Sequence, residues 1–187
     1  MRYLYSEYDQ PIATDYYYEA RHTVNDHVPS VPSHSHNYYE IYMYITGSCK
    51  LFVEDRFYDV KRGDVVIIPP YTIHRLTPLE TEQIPYERMY MYITEACLKS
   101  FQFNEHSPLH TLELARNNRR FHFRISDADD YEAIRQCMSK IAINTRNDFY
   151  GKEMLNSSYI LHLITLLNQQ TSETKIGKPI QIYSDQV

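Results

Sequence analysis

The 187-residue chain has no tryptophan, only 4 glycines and only 3 cysteines. Cys49, Cys97 and Cys137 are odd in number, far apart and in no Cys-x-x-Cys or Cys/His spacing, so they read as reduced packing residues rather than a disulfide framework. An excess of positive charge is also missing. The 19 Lys and Arg against 24 Asp and Glu leave a net charge of −5, which gives no general attraction to a phosphate backbone. No apolar run approaches the roughly 18 residues that a spanning helix needs, and the N-terminal stretch lacks a basic leader followed by an apolar segment. These absences exclude a membrane span and a self-sufficient nucleic-acid binder, and the chain reads as cytoplasmic.

What is present is 19 Tyr and 7 Phe within an ordinary globular balance of 43% hydrophobic and 23% charged residues. Aromatic, glycine-poor sequence favours pleated, half-buried surfaces. From Asp15 to Ile125 the pattern predicts an all-β region of short strands: Tyr38 to Thr46, Cys49 to Glu54, Phe57 to Val60, Asp64 to Ile68, Glu87 to Thr94 and Arg119 to Ile125. Thr46-Gly47-Ser48, Glu54-Asp55-Arg56 and Lys61-Arg62-Gly63-Asp64 supply turns, and Pro69-Pro70 ends a strand. Many short strands imply a barrel or sandwich.

The period then changes. Ser126 reads as an N-cap, with Asp127, Asp129 and Asp130 in the first turn where the helix dipole favours negative charge. Tyr131, Ile134, Cys137, Met138, Ile141 and Ala142 form one apolar stripe. A second helix, Lys152 to Gln170, is apolar or aromatic at seven of nine positions from Tyr159 to Leu167, too wide for one face. Two readings stand side by side: a second chain covers one side, or its own chain covers all of it. The organisation expected is a barrel over 1–125, a two-helix segment over 126–170 and a polar linker over 171–187.

The chemistry concentrates in His34-Ser35-His36-Asn37-Tyr38-Tyr39-Glu40 and, after Gly63 and five residues, Pro69-Pro70-Tyr71-Thr72-Ile73-His74. In an extended strand His34, His36, Tyr38, Glu40, Tyr42 and Tyr44 project to one face. With His74 from another strand, three imidazoles and a carboxylate make a ligand set for a divalent first-row ion such as zinc, nickel, manganese or iron, with one or two positions left open. The rival reading has the same side chains hydrogen-bonding a polar effector directly. Tyr38, Tyr42 and Tyr44 are candidate effector contacts, with barrel filling as the plainer alternative. In Tyr86 to Ile93 one face is Tyr/Arg/Tyr/Tyr and the other Glu/Met/Met/Ile; Arg88 meets ligand if the first faces inward, and solvent or a carboxylate if it does not. The basic cluster from Arg116 to Arg124 reads as a solvated strand before it reads as a phosphate site. His22, His27, His106, His110, His122 and His162 have no ligand spacing and read as surface or packing residues.

This double block resembles the two signature motifs of the cupin superfamily, although Tyr71 stands where the second motif usually has Gly, and Pro78 where it often has Asn. The run from His34 to His74, with Glu87-Arg88 and the helix pair after it, is similar to the N-terminal sensor half of AraC-type transcription regulators. That resemblance covers about residues 15 to 170. It implies a cupin-like barrel (a double-stranded β-helix or jelly roll) that binds a small-molecule effector, a sugar being one candidate, and a homodimer made through the paired helices. DNA would be met through a separate segment with two helix-turn-helix motifs, which the sequence does not contain; residues 1 to 14 would be a movable arm. On this reading there are no catalytic residues. The competing reading is a metal-dependent cupin enzyme, a dioxygenase or sugar isomerase, using the same ligands. A purely structural dimeric barrel filled by its own tyrosines is the third.

Overall fold

Alternating aromatic and β-branched positions between turns set the strand pattern. The computed structural model describes residues 17–79, 85–101 and 107–172. In chain order these form β1 (Tyr18–Asn25), β2 (Val31–His34), β3 (Tyr39–Thr46), β4 (Cys49–Val53), β5 (Arg56–Val60), β6 (Asp64–Ile68), β7 (His74–Pro78), β8 (Tyr86–Ile93), α1 (Glu95–Lys99), α2 (His110–Asn118), β9 (His122–Arg124), α3 (Ala128–Thr145) and α4 (Lys152–Thr171). Two antiparallel sheets result, one ordered β1-β8-β3-β6-β9 and the other β2-β7-β4-β5. They face each other as an open double sheet, the jelly-roll form of the cupin-like fold, and no hydrogen-bonded ladder closes them into a barrel among the described residues. Gly47 and Gly63 make the turns with positive φ, and a Cβ on Gly63 would lie 3.2 Å from the Ile125 carbonyl oxygen.

The five-stranded sheet is covered on both faces, so β3 is buried along almost its whole length. Glu40, Tyr42 and Tyr44 of β3 pair with Tyr92, Tyr90 and Arg88 of β8, which places all six on the face toward the second sheet. Tyr39, Ile41 and Met43 pair with Ile93, Met91 and Met89 on the opposite face, where α3 lies against β1 and β8, and α2 against β6. The stripe Tyr131, Ile134, Cys137, Met138, Ile141 and Ala142 is the buried side of α3. On α4, Ile160, Leu163, Ile164 and Leu167 are buried at i, i+3, i+4 and i+7. Around the α3–α4 turn Ile143, Phe149, Tyr150, Met154 and Leu155 remain exposed, Met154 at 81%.

Several expectations are corrected. The stretch to Ile125 is not all β: α1 and α2 intervene, and Arg116 to Asn118 end a helix instead of approaching a strand. The strand expected from Arg119 is only three residues long, because Arg119 turns left-handed as the C-cap of α2. Asp127, not Ser126, caps α3, its carboxylate accepting the N–H groups of Asp129 and Asp130 at 2.9 and 3.0 Å. The arm expected over 1–14 lies outside the described residues, as does the linker beyond Ser172. No helix among the described residues is long and apolar enough to cross a membrane.

One ion pair ties the last strand to the sheet. Asp64, fully buried, accepts Arg124 Nε at 2.7 Å and Nη2 at 2.9 Å and the Lys61 backbone N–H at 2.9 Å, with His122 Nε2 at 3.3 Å. Burial alone would raise its pKa, but the hydrogen bonds from His122, Arg124 and Lys61 prevail and lower it from 3.8 to about 2. The folded-state pKa is depressed, so this contribution is complete above about pH 4 and fades as pH falls toward 2. Arg124 is half-exposed, so we expect Asp64→Asn to cost about 1–2 kcal/mol at neutral pH. Urea denaturation from pH 6 to 2 checks this: the variant's deficit should shrink steadily below pH 4.

Candidate functional site

The histidine motif works by leaving one sheet and entering the other. His34 ends β2 in the four-stranded sheet, paired with His74 of β7; residues 35–38 cross between sheets, and Glu40 lies on β3 of the five-stranded sheet. The expectation of one continuous strand face from His34 to Tyr44 is therefore corrected. Strand parity holds only from Glu40 through Tyr42 to Tyr44, and the crossover brings in His36. Tyr71, in the family's usual glycine position, adopts φ +63 and is 76% exposed, while its N–H donates to the His36 carbonyl at 2.7 Å. The left-handed turn is kept despite its cost of roughly 1–2 kcal/mol.

The three imidazoles converge, with ligand nitrogens all within 4.8 Å of one another. Each ring is oriented by its own local backbone. His34 Nδ1 lies 2.9 Å from the Pro32 carbonyl oxygen, His36 Nδ1 lies 3.0 Å from that of Tyr38, and His74 Nδ1 lies 2.9 Å from that of Thr72. A carbonyl only accepts, so Nδ1 carries a proton in all three, and Nε2, the atom turned to the shared space, either donates as Nε2–H to Glu40 or, deprotonated, ligates an ion. Glu40 Oε2 sits 3.1 Å from His36 Nε2 and 3.3 Å from His74 Nε2. Burial raises the Glu40 pKa, but the His36 hydrogen bond, the close His74 contact and the charges of both rings overcome this and hold it well below the usual carboxylate range. Burial lowers the His34 pKa and repulsion from His74 lowers it further, which favours the neutral, ligating form.

The donor set fits a metal ion on two counts. His74 Nε2 is buried with no hydrogen bond of ordinary geometry. Three nitrogens bound tetrahedrally to one ion at about 2.1 Å lie about 3.4 Å apart, so the trio, now within 4.8 Å, would have to draw together on loading. Backbone carbonyls fixing Nδ1 are the usual outer partners of metal-bound imidazoles.

Beyond the cluster the inner face is a ladder of rings. Tyr38 stacks on His36 with centroids 4.0 Å apart; Tyr38–Tyr92, Tyr92–Tyr90, Tyr90–Tyr42 and Tyr42–Tyr44 follow at 4.7, 5.2, 5.6 and 5.9 Å. Burial, and then the Glu40 charge, raise the pKa values of Tyr38, Tyr42 and Tyr92, so these phenols stay protonated. Arg88 faces inward with them. Tyr86, Tyr90 and Tyr92 were not among the expected site residues. Their signal was the alternation with Met89, Met91 and Ile93, whose direction stays ambiguous while both faces are apolar.

Most of the remaining sequence candidates have partners. Arg116 pairs with Glu95 at 2.6 Å, Arg119 with Glu54 at 2.6 Å and with Asp55, and Arg124 with Asp64, so three of the four arginines of the basic cluster are neutralised within the protein. His22 pairs with Glu87, and His162 Nδ1 lies 3.5 Å from Cys137 Sγ. A cleft of about 290 Å³ between β1 and the end of α3, lined by Glu19, Arg21 and Arg146 among others, contains none of the expected site residues.

The family profile described as the AraC-like ligand binding domain matches residues 16–139. Among solved structures, a Cupin 2 conserved barrel domain protein from Salinispora arenicola is 22% identical, over 48% of this chain and 73% of its own, with a TM-score of 0.38. An RmlC-like cupin from Methanocaldococcus jannaschii is 20% identical, over 46% of this chain and 76% of its own, with a TM-score of 0.37. A DMSP lyase from Ruegeria pomeroyi is 19% identical, over 44% of this chain and 40% of its own, with a TM-score of 0.37. No curated protein matches the sequence.

Proposed function

The chain belongs to the AraC-like ligand binding domain family, and from that premise we propose that it is the non-catalytic, effector-sensing and dimerising part of a transcription regulator. The observation that carries this reading is the inner face itself, where a continuous ladder of protonated tyrosines leads from Arg88 to the three histidines and Glu40. Rings with phenolic tips stack on a small polar molecule, a sugar being one fitting shape, and bond it at the rim. Binding roles, not catalytic ones, fall to Tyr38, Tyr42, Tyr44 and Arg88. A small molecule acts as an effector only if it binds two arrangements of the domain unequally. Thermal-shift screening of sugars and related polar metabolites is expected to find a class that raises the melting temperature by several degrees. A flat response across all classes would remove the sensing role.

The same reading places a divalent first-row ion on His34, His36, His74 and Glu40. When bound, such an ion supplies a Lewis-acidic position for an effector oxygen. Untagged protein stripped with chelator and reloaded with zinc, nickel or manganese should take up about one ion per chain by elemental analysis. His74→Ala and His36→Ala should each reduce that uptake at least tenfold. Metal that stays substoichiometric on reloading would leave direct contacts to the effector as the role of the cluster.

For the partner, the exposed apolar side chains around the α3–α4 turn support a second copy of this chain, extending the surface that the wide apolar helix α4 begins. Wild-type protein should sediment as a dimer. The Tyr150→Glu/Met154→Glu variant, which puts charge on fully exposed positions, should sediment as a folded monomer.

A further inference from the structure

Two arginines share the inner face of the five-stranded sheet, and their surroundings differ. Arg21, opposite Tyr90, is neutralised by Glu19 at 2.6 Å. Arg88, opposite Tyr44, has no carboxylate partner among the described residues. Its Nη1 donates to the neutral Asn25 Oδ1 at 2.9 Å, and its guanidinium lies 4.7 Å from the Tyr86 ring centroid and 5.6 Å from that of Tyr90. Its Nε is buried without a hydrogen bond, and so is the Tyr44 hydroxyl across the ladder. An unmet buried donor is costly, so each of these groups is poised for a partner. The two belong to paired residues of neighbouring strands, and Arg88 is the one cation of this face that lacks a counter-charge among the described residues.

We infer that Arg88 and Tyr44 form a carboxylate-recognition station, in which the Nε edge of the guanidinium and the Tyr44 hydroxyl grip one carboxylate of the effector while Tyr86 and Tyr90 flank it. The inference rests on the effector-binding reading above and narrows it to an acid. The Nε edge of an arginine fits the two oxygens of a carboxylate, and a single guanidinium balances a single negative charge. A phosphate dianion is disfavoured, because Glu40 and Glu19 already lie on this face and no second uncommitted cation accompanies Arg88 among the described residues. The station is distinct from the histidine cluster: Tyr44 is four residues along β3 from Glu40, about 13 Å at strand rise.

The test uses chelator-treated protein, so that no carboxylate is captured by a metal ion. Glucuronate, galacturonate and 4-hydroxybenzoate are compared with the neutral twins glucose, galactose and 4-hydroxybenzamide by thermal shift and titration calorimetry. At least one acid should bind saturably while its neutral twin binds at least tenfold more weakly. Arg88→Gln should weaken the acid at least tenfold, Arg88→Lys should only partly restore it, and Tyr44→Phe, which keeps the ring, should weaken it severalfold; unchanged melting of the unliganded variants confirms their folding. Neutral twins that bind as well as the acids, or an acid whose affinity survives Arg88→Gln, would overturn the inference and leave the effector-binding reading standing. If no probe of either charge binds, the inference falls for these acids, and the broad effector screen judges the reading beneath it.

Discussion

A single carboxylate oxygen joins the two sheets. Glu40 Oε2 stands on β3 and meets Nε2 of both His36, from the crossover, and His74, from the opposing sheet. Burying that oxygen is costly, and only the paired imidazoles make the ionised form stable there. The imidazoles are themselves not free to turn, because each Nδ1–H is held by a carbonyl two residues away in its own segment. Three local backbone turns thus fix three rings, and one long-range contact fixes the spacing of the sheets. A polar centre built this way is rigid before any ligand arrives, as a binding constellation requires.

The same construction explains what could be read from the sequence. Strands bounded by glycine turns or prolines, β6 above all, were legible because the punctuation is local. The stripe on α3 was legible because its six apolar positions repeat at the helical period and only one side of that helix is covered. The path from His34 to Glu40 was not, because alternation cannot show a chain changing sheets midway; the residues converge through the crossover and the His34–His74 pairing, not through strand parity. The inward direction of Arg88 was illegible for a different reason. Helices cover the outer face of β8, so Met89 and Met91 look as buried as Tyr90 and Tyr92, and hydrophobicity carries no sign. In α2 the polar run HTLELARNN shows little of the pattern that packs Leu112 and Ala115, so tertiary contact decided what periodicity did not.

Because both faces of the five-stranded sheet are used, β8 divides two environments. Its even-numbered side chains Tyr86, Arg88, Tyr90 and Tyr92 are aromatic or charged and turn inward; Met89, Met91 and Ile93 turn toward α3. Neighbouring β1 carries a polar connection into the helices. Tyr18 donates to Glu153 Oε2 at 2.6 Å and accepts from Asn156 Nδ2 at 3.0 Å, and Asn144 Nδ2 donates to Asn156 Oδ1 at 2.9 Å. Asn156 is fully buried, so these bonds specify one seating of α4 on α3 and β1, where an apolar contact would tolerate several.

The fold therefore has an inner aromatic face and a helix face separated by one layer of backbone. Close-packed interiors do not deform continuously; they hold one arrangement or exchange it for another. An occupant of the inner face influences α3 and α4 only to the extent that it favours one seating of β8 and β1 over the other, whatever its absolute affinity. The hydrogen bonds of Tyr18 and Asn156 make the alternative seating expensive, because shifting α4 leaves buried amide groups unpaired at about 1–3 kcal/mol each. That penalty is comparable to the coupling energies through which ligands switch proteins. The polar connection behind β1, more than the apolar packing around it, therefore sets how strongly the two faces can be linked.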